Sequence, residues 1–499
     1  MKKIIYIATF AVLGLSFHSC DLDTSPSTAA DDSLVFSNVE NIERVLNGTW
    51  ANMMESANTF MNMGWGTLFL TSDAMGNDIA VHPTTYGFAQ RYAFSGANST
   101  IPSTSGTVSL IWTLAYRVIN NMNHIITRID NVEGDAATKN RIKAQAYALR
   151  GYMYLNLGTF FLGNYTDNAD ALAVPIYVTP TTSEREGNPR STLAEVFQQA
   201  ENDLLRAHET IGNFSQGTAK HKIDRNVIAG ILARLYLQKE DWENASTFAA
   251  QAAAPFSWMS RAAYLEGFND RTNAEWIWGH GQTPNQNNAG YNFHYLDLIT
   301  PGSFYFSFMA DPFFKDFFDE DDIRFQLFQW NTTRSAGRLM YKKFRFRPDM
   351  TADIVLMRKA EMVLIEAEAL AEQGKLTEAI ARLNSLREAR GARTPDLSAL
   401  SQENLVEEIL IERRKELWGE GFSLVDIKRR RKAIERRAVP AGTLVPGTNI
   451  PVLGHTALTF GDGSPFVPNS PFHNFTFPLA ETERNPNWKN DPEKDGDEK

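Results

Sequence analysis

The 499-residue chain is 43% hydrophobic and 22% charged, with a formal net charge of −10 at pH 7. Those proportions belong to a globular protein with a sizeable core, and they exclude a disordered chain or a multi-span membrane protein. The acidic balance argues against a nucleic-acid partner, and a single cysteine excludes an intramolecular disulfide.

At the start of the chain, Lys2 and Lys3 precede the apolar run Ile4–Leu15. The run is too short to span a bilayer and has the proportions of a signal-peptide core. Phe17-His18-Ser19-Cys20 resembles a bacterial lipobox, with Phe17 standing where leucine is usual. Asp21-Leu22-Asp23 resembles the surface-export signal of Bacteroidetes lipoproteins. Cys20 is therefore the expected lipidation site, with residues 1–19 as leader and residues 20–33 as a tether containing Pro26. Each buried methylene contributes about 0.8 kcal/mol and one acyl chain anchors only marginally, so stable attachment calls for a multiply acylated cysteine.

The spacing of Ile42, Val45, Leu46 and Trp50 predicts an amphipathic helix over Val39–Met54. From Gly76 to Gly106, Pro83, Pro102 and many Ser, Thr and Asn residues predict a long irregular segment carrying Tyr86, Phe88, Tyr92 and Phe94. Helices are expected at Val108–Ile129, Arg141–Phe161, Leu193–His208, Asn226–Gln238 and Trp242–Ala254. Aromatic residues make up about a quarter of residues 256–346, against 11% of the whole chain. Within this stretch Glu275–Trp278 suggests a short strand, and Gly279–Tyr295 reads as a loop rich in Asn, Gln and Gly.

Four further helices are predicted at Ile354–Gln373, Lys375–Arg390, Gln402–Trp418 and Leu424–Arg437. Gly374 suits the left-handed end of the first, and Ser401 is placed to cap the third. The first two are joined too tightly to do anything but pack antiparallel, with Ala367 and Ala379 allowing close approach. Ala233, Tyr236, Trp242 and Ala245 repeat the spacing of Ala367, Leu370, Leu376 and Ala379. The match supports a helical repeat scaffold, and the two successive hairpins resemble a tetratricopeptide-type stack.

Candidate chemistry is sparse. A sugar ring presents an apolar face to Tyr or Trp, and its hydroxyls pair with Asn, Gln, Asp and Arg. Tyr86 and Tyr92 from the early loop, with Tyr291 and Tyr295 from the later one, are the candidate platforms. Phe313, Phe314, Phe317 and Phe318 are expected in the core. Asp319-Glu320-Asp321-Asp322 lacks the alternating ligand spacing of a calcium loop and reads as a solvated helix end. The histidines show no zinc-ligand spacing. No nucleophile elbow appears and no catalytic carboxylate pair can be singled out, so neither a metal, a cofactor nor an enzymatic site is expected. The basic run Lys428–Lys432 with Arg436 and Arg437 is expected to be a solvated helix face.

Glu412-Arg413-Arg414-Lys415-Glu416-Leu417-Trp418, then Glu420-Gly421 and Asp426-Ile427-Lys428-Arg429, resembles the C-terminal signature of the SusD/RagB family of Bacteroidetes outer-membrane lipoproteins. Phe477-Pro478-Leu479 with Asn485-Pro486-Asn487 resembles its closing segment. The family usually has an arginine shortly after the Glu-Gly pair, where this chain has Phe422-Ser423-Leu424. The resemblance implies a mainly α fold, with a tetratricopeptide-like hairpin scaffold at residues 34–255 and 351–437. A less regular, aromatic-rich insert would occupy residues 256–350 and a Pro/Gly-rich segment residues 438–499, all within one domain. It also implies a non-enzymatic, lipid-anchored protein on the outer membrane, facing outward and passing oligosaccharides to a SusC-like TonB-dependent transporter. A peptide ligand and a surface hydrolase are the alternatives. Glu412, Arg413 and Glu416 are expected to form structural ion pairs between hairpins.

Overall fold

The computed structural model describes residues 35–55, 63–82, 88–95, 106–182 and 185–488. The fold is mainly α. Helix α1 (Val39–Glu55) buries Ile42, Leu46, Trp50 and Met53, and α2 (Gly66–Ala74) follows it. Strand β1 (Ile79–Val81) then precedes α3 (Gly106–Arg128) and α4 (Ala136–Phe161). Asp135 starts α4 by accepting a hydrogen bond from the Thr138 amide at 3.0 Å. After β2 (Leu172–Pro175) and β3 (Arg190–Thr192), α5 (Leu193–Thr210) opens with a Thr192–Glu195 capping box. Helices α4 and α5 approach closely because α4 carries glycines at the contact. A Cβ on Gly158 would sit 2.7 Å from the Phe197 ring, and one on Gly151 would sit 2.9 Å from the Ala200 carbonyl oxygen.

The hairpin of α6 (Arg225–Lys239) and α7 (Trp242–Ala253) comes next. It packs through α7 onto α9 (Lys359–Glu372), which pairs with α10 (Leu376–Arg390) and touches α11 (Gln402–Leu417). The short α12 (Ser423–Arg429) closes the stack. The repeated small residues behave as the spacing predicts, since Ala233, Ala245, Ala367 and Ala379 are all fully buried. Ser401 accepts from the Asn404 amide at 3.2 Å, and Gly374 takes a left-handed φ of 74°.

Between the hairpins the chain makes β4 (Trp276–His280), α8 (Tyr291–Leu296), β5 (Phe308–Ala310), β6 (Phe328–Trp330), β7 (Leu339–Tyr341) and β8 (Ile354–Arg358). One sheet has the order β1-β5-β7-β6, and β4 pairs antiparallel with β8. Residues 354–358 are therefore strand, not the first turns of a helix. Their apolar run fits either period, and burial on both sides by β4 and the helices decides for the strand. Residues 79–81 likewise interrupt the irregular early segment, because they pair with Phe308–Ala310.

The last predicted helix ends at Arg429, not Arg437, with Arg431 in the left-handed region at φ 52°. The basic run is not a solvated face either: Lys428, Arg429 and Arg436 are buried. Arg429 pairs with Glu368 and Asp426, and Arg431 with Asp167 and Glu240. Arg436 donates to the carbonyls of Ala74, Gly76 and Tyr92. Lys428 donates to the carbonyls of Thr159 and Leu162, and burial pushes its ammonium down to about 7. Glu320 and Asp321 are exposed as expected and Asp319 is half-buried, but Asp322 is buried against Arg324. Phe314 and Phe318 are core residues, while Phe313 and Phe317 are half-buried.

The signature residues lock the hairpins to the insert. Arg324, Arg358 and Arg390 converge on Glu416, and Glu275 bridges Arg358 at 2.9 Å and Arg390 at 2.8 Å. Glu412 joins Arg324 to Arg387, and Glu420 holds Arg358 and Lys343. Burial alone would raise the Glu412 carboxyl, but Arg324, Lys415 and Arg387 outweigh it and hold it at about 2. Glu412 and Glu416 thus act as interhairpin ion pairs, and Arg413 pairs with Asp426 of α12.

Candidate binding face

The aromatic residues of the insert divide into a packed layer and an exposed one. Pairing of Val81 with Phe308 and of Ile79 with Ala310 brings the early and later loops side by side. His82 extends this pairing by donating its amide to the Ser307 carbonyl at 2.7 Å. The loop from residue 297 to 307 is wound around the buried Asp297 carboxylate. That carboxylate accepts from the amides of Ile299 at 3.0 Å, Thr300 at 2.9 Å and Phe346 at 2.8 Å. At the far end, the amides of Tyr305 and Phe306 both donate to the His294 carbonyl at 3.1 Å. Phe306 has a left-handed φ of 47°. This turn drives Tyr305 inward and leaves Phe304 outside.

Phe304 is 58% exposed and lies flat on His294, with ring centroids 4.4 Å apart and planes 24° from parallel. Tyr291 meets the same imidazole edge-on at 5.4 Å and is partly exposed. Arg334 is exposed, sits 4.1 Å from the Phe306 ring centroid and donates to the Phe304 carbonyl. Ile299 adds a further exposed apolar side chain. Burial pulls the His294 imidazole down to about 4. Its Nδ1 accepts from the Phe304 amide at 3.3 Å, so the neutral ring carries its proton on Nε2. The result is an uncharged aromatic shelf beside one guanidinium, suited to the apolar face and hydroxyl rim of a sugar ring.

Two of the four tyrosines singled out above lie elsewhere. Tyr92 is 1% exposed: its ring stacks on His455 at 5.8 Å and lies 4.4 Å from the Arg436 guanidinium. Its hydroxyl meets His455 Nδ1 at 3.0 Å and accepts from the Thr456 amide at 2.9 Å. Tyr295 is fully buried among Tyr305, Phe88 and Phe308. Neither ring offers a face to a ligand, because each fills the core beneath a loop. Tyr291 remains on the surface of the shelf, while Tyr86 and Cys20 lie outside the described residues. Phe304, His294 and Arg334 were not anticipated. Phe304-Tyr305-Phe306 follows Pro301-Gly302 in the sequence, but the turn that sends Tyr305 in and Phe304 out depends on the left-handed Phe306 and on contacts with His294 and Asp297. Among the described residues no cluster of three His, Cys, Asp or Glu side chains is arranged to hold a metal ion. No described helix is long and apolar enough to cross a membrane.

Comparison with known proteins agrees with this architecture. Residues 22–237 match a SusD-like family described as starch-binding associating with outer membrane, and residues 331–487 match the SusD family. A SusD-like carbohydrate binding protein from Bacteroides vulgatus is 42% identical, with a TM-score of 0.85 over 91% of this chain and 98% of that one. A SusD superfamily protein from Bacteroides thetaiotaomicron shares the fold at 22% identity and a TM-score of 0.76, covering 91% and 99% of the two chains. SusD-like protein P38 of Formosa agariphila is 39% identical over 103 residues, a match spanning 19% of this chain and 20% of P38. The chain belongs to the SusD/RagB family.

Proposed function

We propose that this protein captures oligosaccharides on the Tyr291–His294–Phe304 shelf and hands them, uncleaved, to a SusC-like TonB-dependent transporter. It would do so at the outer face of the outer membrane, held there by acyl chains on Cys20. The observation that carries the proposal is Phe304, a large apolar ring held mostly in solvent by a loop built around a buried carboxylate. The carbohydrate-binding name of the 42%-identical relative supports the same ligand class. Covering about 60 Å² of sugar contributes on the order of 1.5 kcal/mol at roughly 25 cal/mol per Å². Millimolar affinity already needs about 4 kcal/mol, so one ring is too little and the ligand is a chain of several sugars.

Isothermal titration against oligosaccharides, single sugars and peptides, with product analysis, tests the proposal. Heat with oligosaccharides alone and no released fragments is expected. Heat with peptides alone would replace the ligand class, and released fragments would make the protein a hydrolase. For the anchor, Cys20→Ala should abolish acyl labelling and release the protein from the outer membrane.

A further inference from the structure

The guanidinium beside the aromatic shelf is held in place by the fold. Arg334 stands in the turn between β6 and β7. The Gly337 amide closes this turn by donating to the Asn331 carbonyl at 2.8 Å, and the Asn331 amide donates to the Arg338 carbonyl at 2.9 Å. The Thr333 amide donates to Asn331 Oδ1 at 3.0 Å, which fixes the start of the turn. The Arg334 side chain then ties the turn to the shelf. Its guanidinium lies 4.1 Å from the Phe306 ring centroid, and Nη2 donates to the Phe304 carbonyl at 3.3 Å. A cation–π contact and one hydrogen bond thus hold an exposed side chain next to the exposed Phe304 ring.

A guanidinium has five N–H donors, and the Phe304 carbonyl takes only one of them. Among the described residues no carboxylate pairs with Arg334. The carboxylate beneath the shelf, Asp297, is occupied by the amides of Ile299, Thr300 and Phe346. His294 is neutral near pH 7 and neither adds to the positive charge nor cancels it. The whole chain carries −10, but at physiological salt that charge is screened beyond about 8 Å. A ligand lying on Phe304 therefore meets one accessible cation with donors to spare.

We infer that the shelf selects oligosaccharides containing a uronic acid, whose ring lies on Phe304 and whose carboxylate is taken by Arg334. The inference rests on the shelf being the glycan site. A uronic acid carries its carboxylate on the rim of the pyranose ring, where it stays free when the ring face is stacked. A planar carboxylate accepts two parallel N–H groups of a guanidinium, whereas a hydroxyl accepts only one. A neutral sugar keeps the stacking contact and leaves the cation unpaired.

Oligomers of galacturonate, glucuronate and mannuronate, each titrated beside its methyl ester, separate ion pairing from stacking, because acid and ester share one carbon skeleton. In calorimetry at low ionic strength, an acid is expected to bind about fivefold more tightly than its ester, the upper range for a solvent-exposed ion pair. The preference should vanish in 1 M sodium chloride, where the Debye length is about 3 Å. Arg334→Gln should bring acid and ester to equal affinity. Arg334→Lys should keep the salt dependence with a smaller preference, since an ammonium lacks the planar fork. Phe304→Ala should weaken acid and ester by the same factor. Esters that bind as tightly as every acid, or a preference that survives Arg334→Gln, overturn the inference and leave the glycan site standing. Tighter binding of κ-carrageenan oligosaccharides than of any uronate would overturn it in favour of a sulfate ester. No binding of acids, esters or neutral oligosaccharides would remove the glycan site together with the inference.

Discussion

The ionic cluster around Glu416 and the aromatic shelf around Phe304 sit on opposite terms with water. In the cluster, three arginines and their carboxylates have no solvent contact, and each cation has more than one partner. On the shelf, one imidazole is neutral, one phenyl ring is mostly solvated and the nearby guanidinium is exposed. Buried charge tolerates no missing partner, because an uncompensated ion in the interior is expensive. An exposed ring has contacts still to make. The cluster therefore sets whether the hairpins and the insert hold together, while the shelf sets what the surface binds.

Changes in the cluster should be the most damaging. Glu416→Ala leaves Arg324, Arg358 and Arg390 short of a shared carboxylate, and a loss of about 3–5 kcal/mol is expected. Urea unfolding should show it as a large fall in midpoint; an unchanged midpoint would mean the cluster is not structural. Ala379→Arg comes next. The site is fully buried at the α9–α10 contact, and a long cation there must splay the hairpin or lose its hydration, at a cost of about 3 kcal/mol. Circular dichroism melting reads that effect directly.

Acid should separate the two regions without mutation. Glu412 is held at about 2, below its ordinary 4.5, so its contribution is complete above pH 4.5 and is lost as the pH falls towards 2. The shift corresponds to ~3 kcal/mol at pH 7, to be read as the difference in urea midpoint between wild type and Glu412→Gln at a series of pH values. The difference should be largest at neutral pH and shrink below pH 4.5. Binding at the shelf should be flat from pH 8 to pH 5.5, because His294 stays neutral until about 4. A binding transition near pH 6.5 would show instead that the imidazole titrates as a free histidine.

The smallest effects distinguish exposed rings from buried ones. Phe304→Ala should weaken oligosaccharide binding about tenfold, the ~1.5 kcal/mol of one stacking face, with the melting midpoint nearly unchanged. Tyr92→Phe should do the reverse. It removes a hydroxyl shared with His455 and Thr456, costing about 1 kcal/mol of stability, and leaves binding intact. A loss of binding in Tyr92→Phe would restore that tyrosine to the site.

The hairpins were legible in the chain because their causes are local. The spacing of Leu383 and Leu386, the glycine at residue 374 and the serine cap at residue 401 lie within a few residues of what they control. The Glu412–Glu416 spacing likewise puts both carboxylates on one face of a helix. The basic run was misread because its partners come from other parts of the chain: the carboxylates of Asp167, Glu240, Glu368, Glu372 and Glu407, and the carbonyls of Ala74, Gly76, Thr159 and Leu162.

The binding face shows the same division. Composition by itself determined that residues 256–346 hold more aromatic rings than their neighbours, and the Asn- and Gly-rich loop beside them marked the region. Which rings reach solvent was decided only in three dimensions. Strand pairing between residues 79–81 and 308–310 covers Tyr295, the Arg436 and His455 side chains cover Tyr92, and the turn around Asp297 exposes Phe304. A tyrosine in a polar loop and a tyrosine under one have the same sequence surroundings. They differ in the distant backbone that closes over them, because accessibility is a property of the packed molecule.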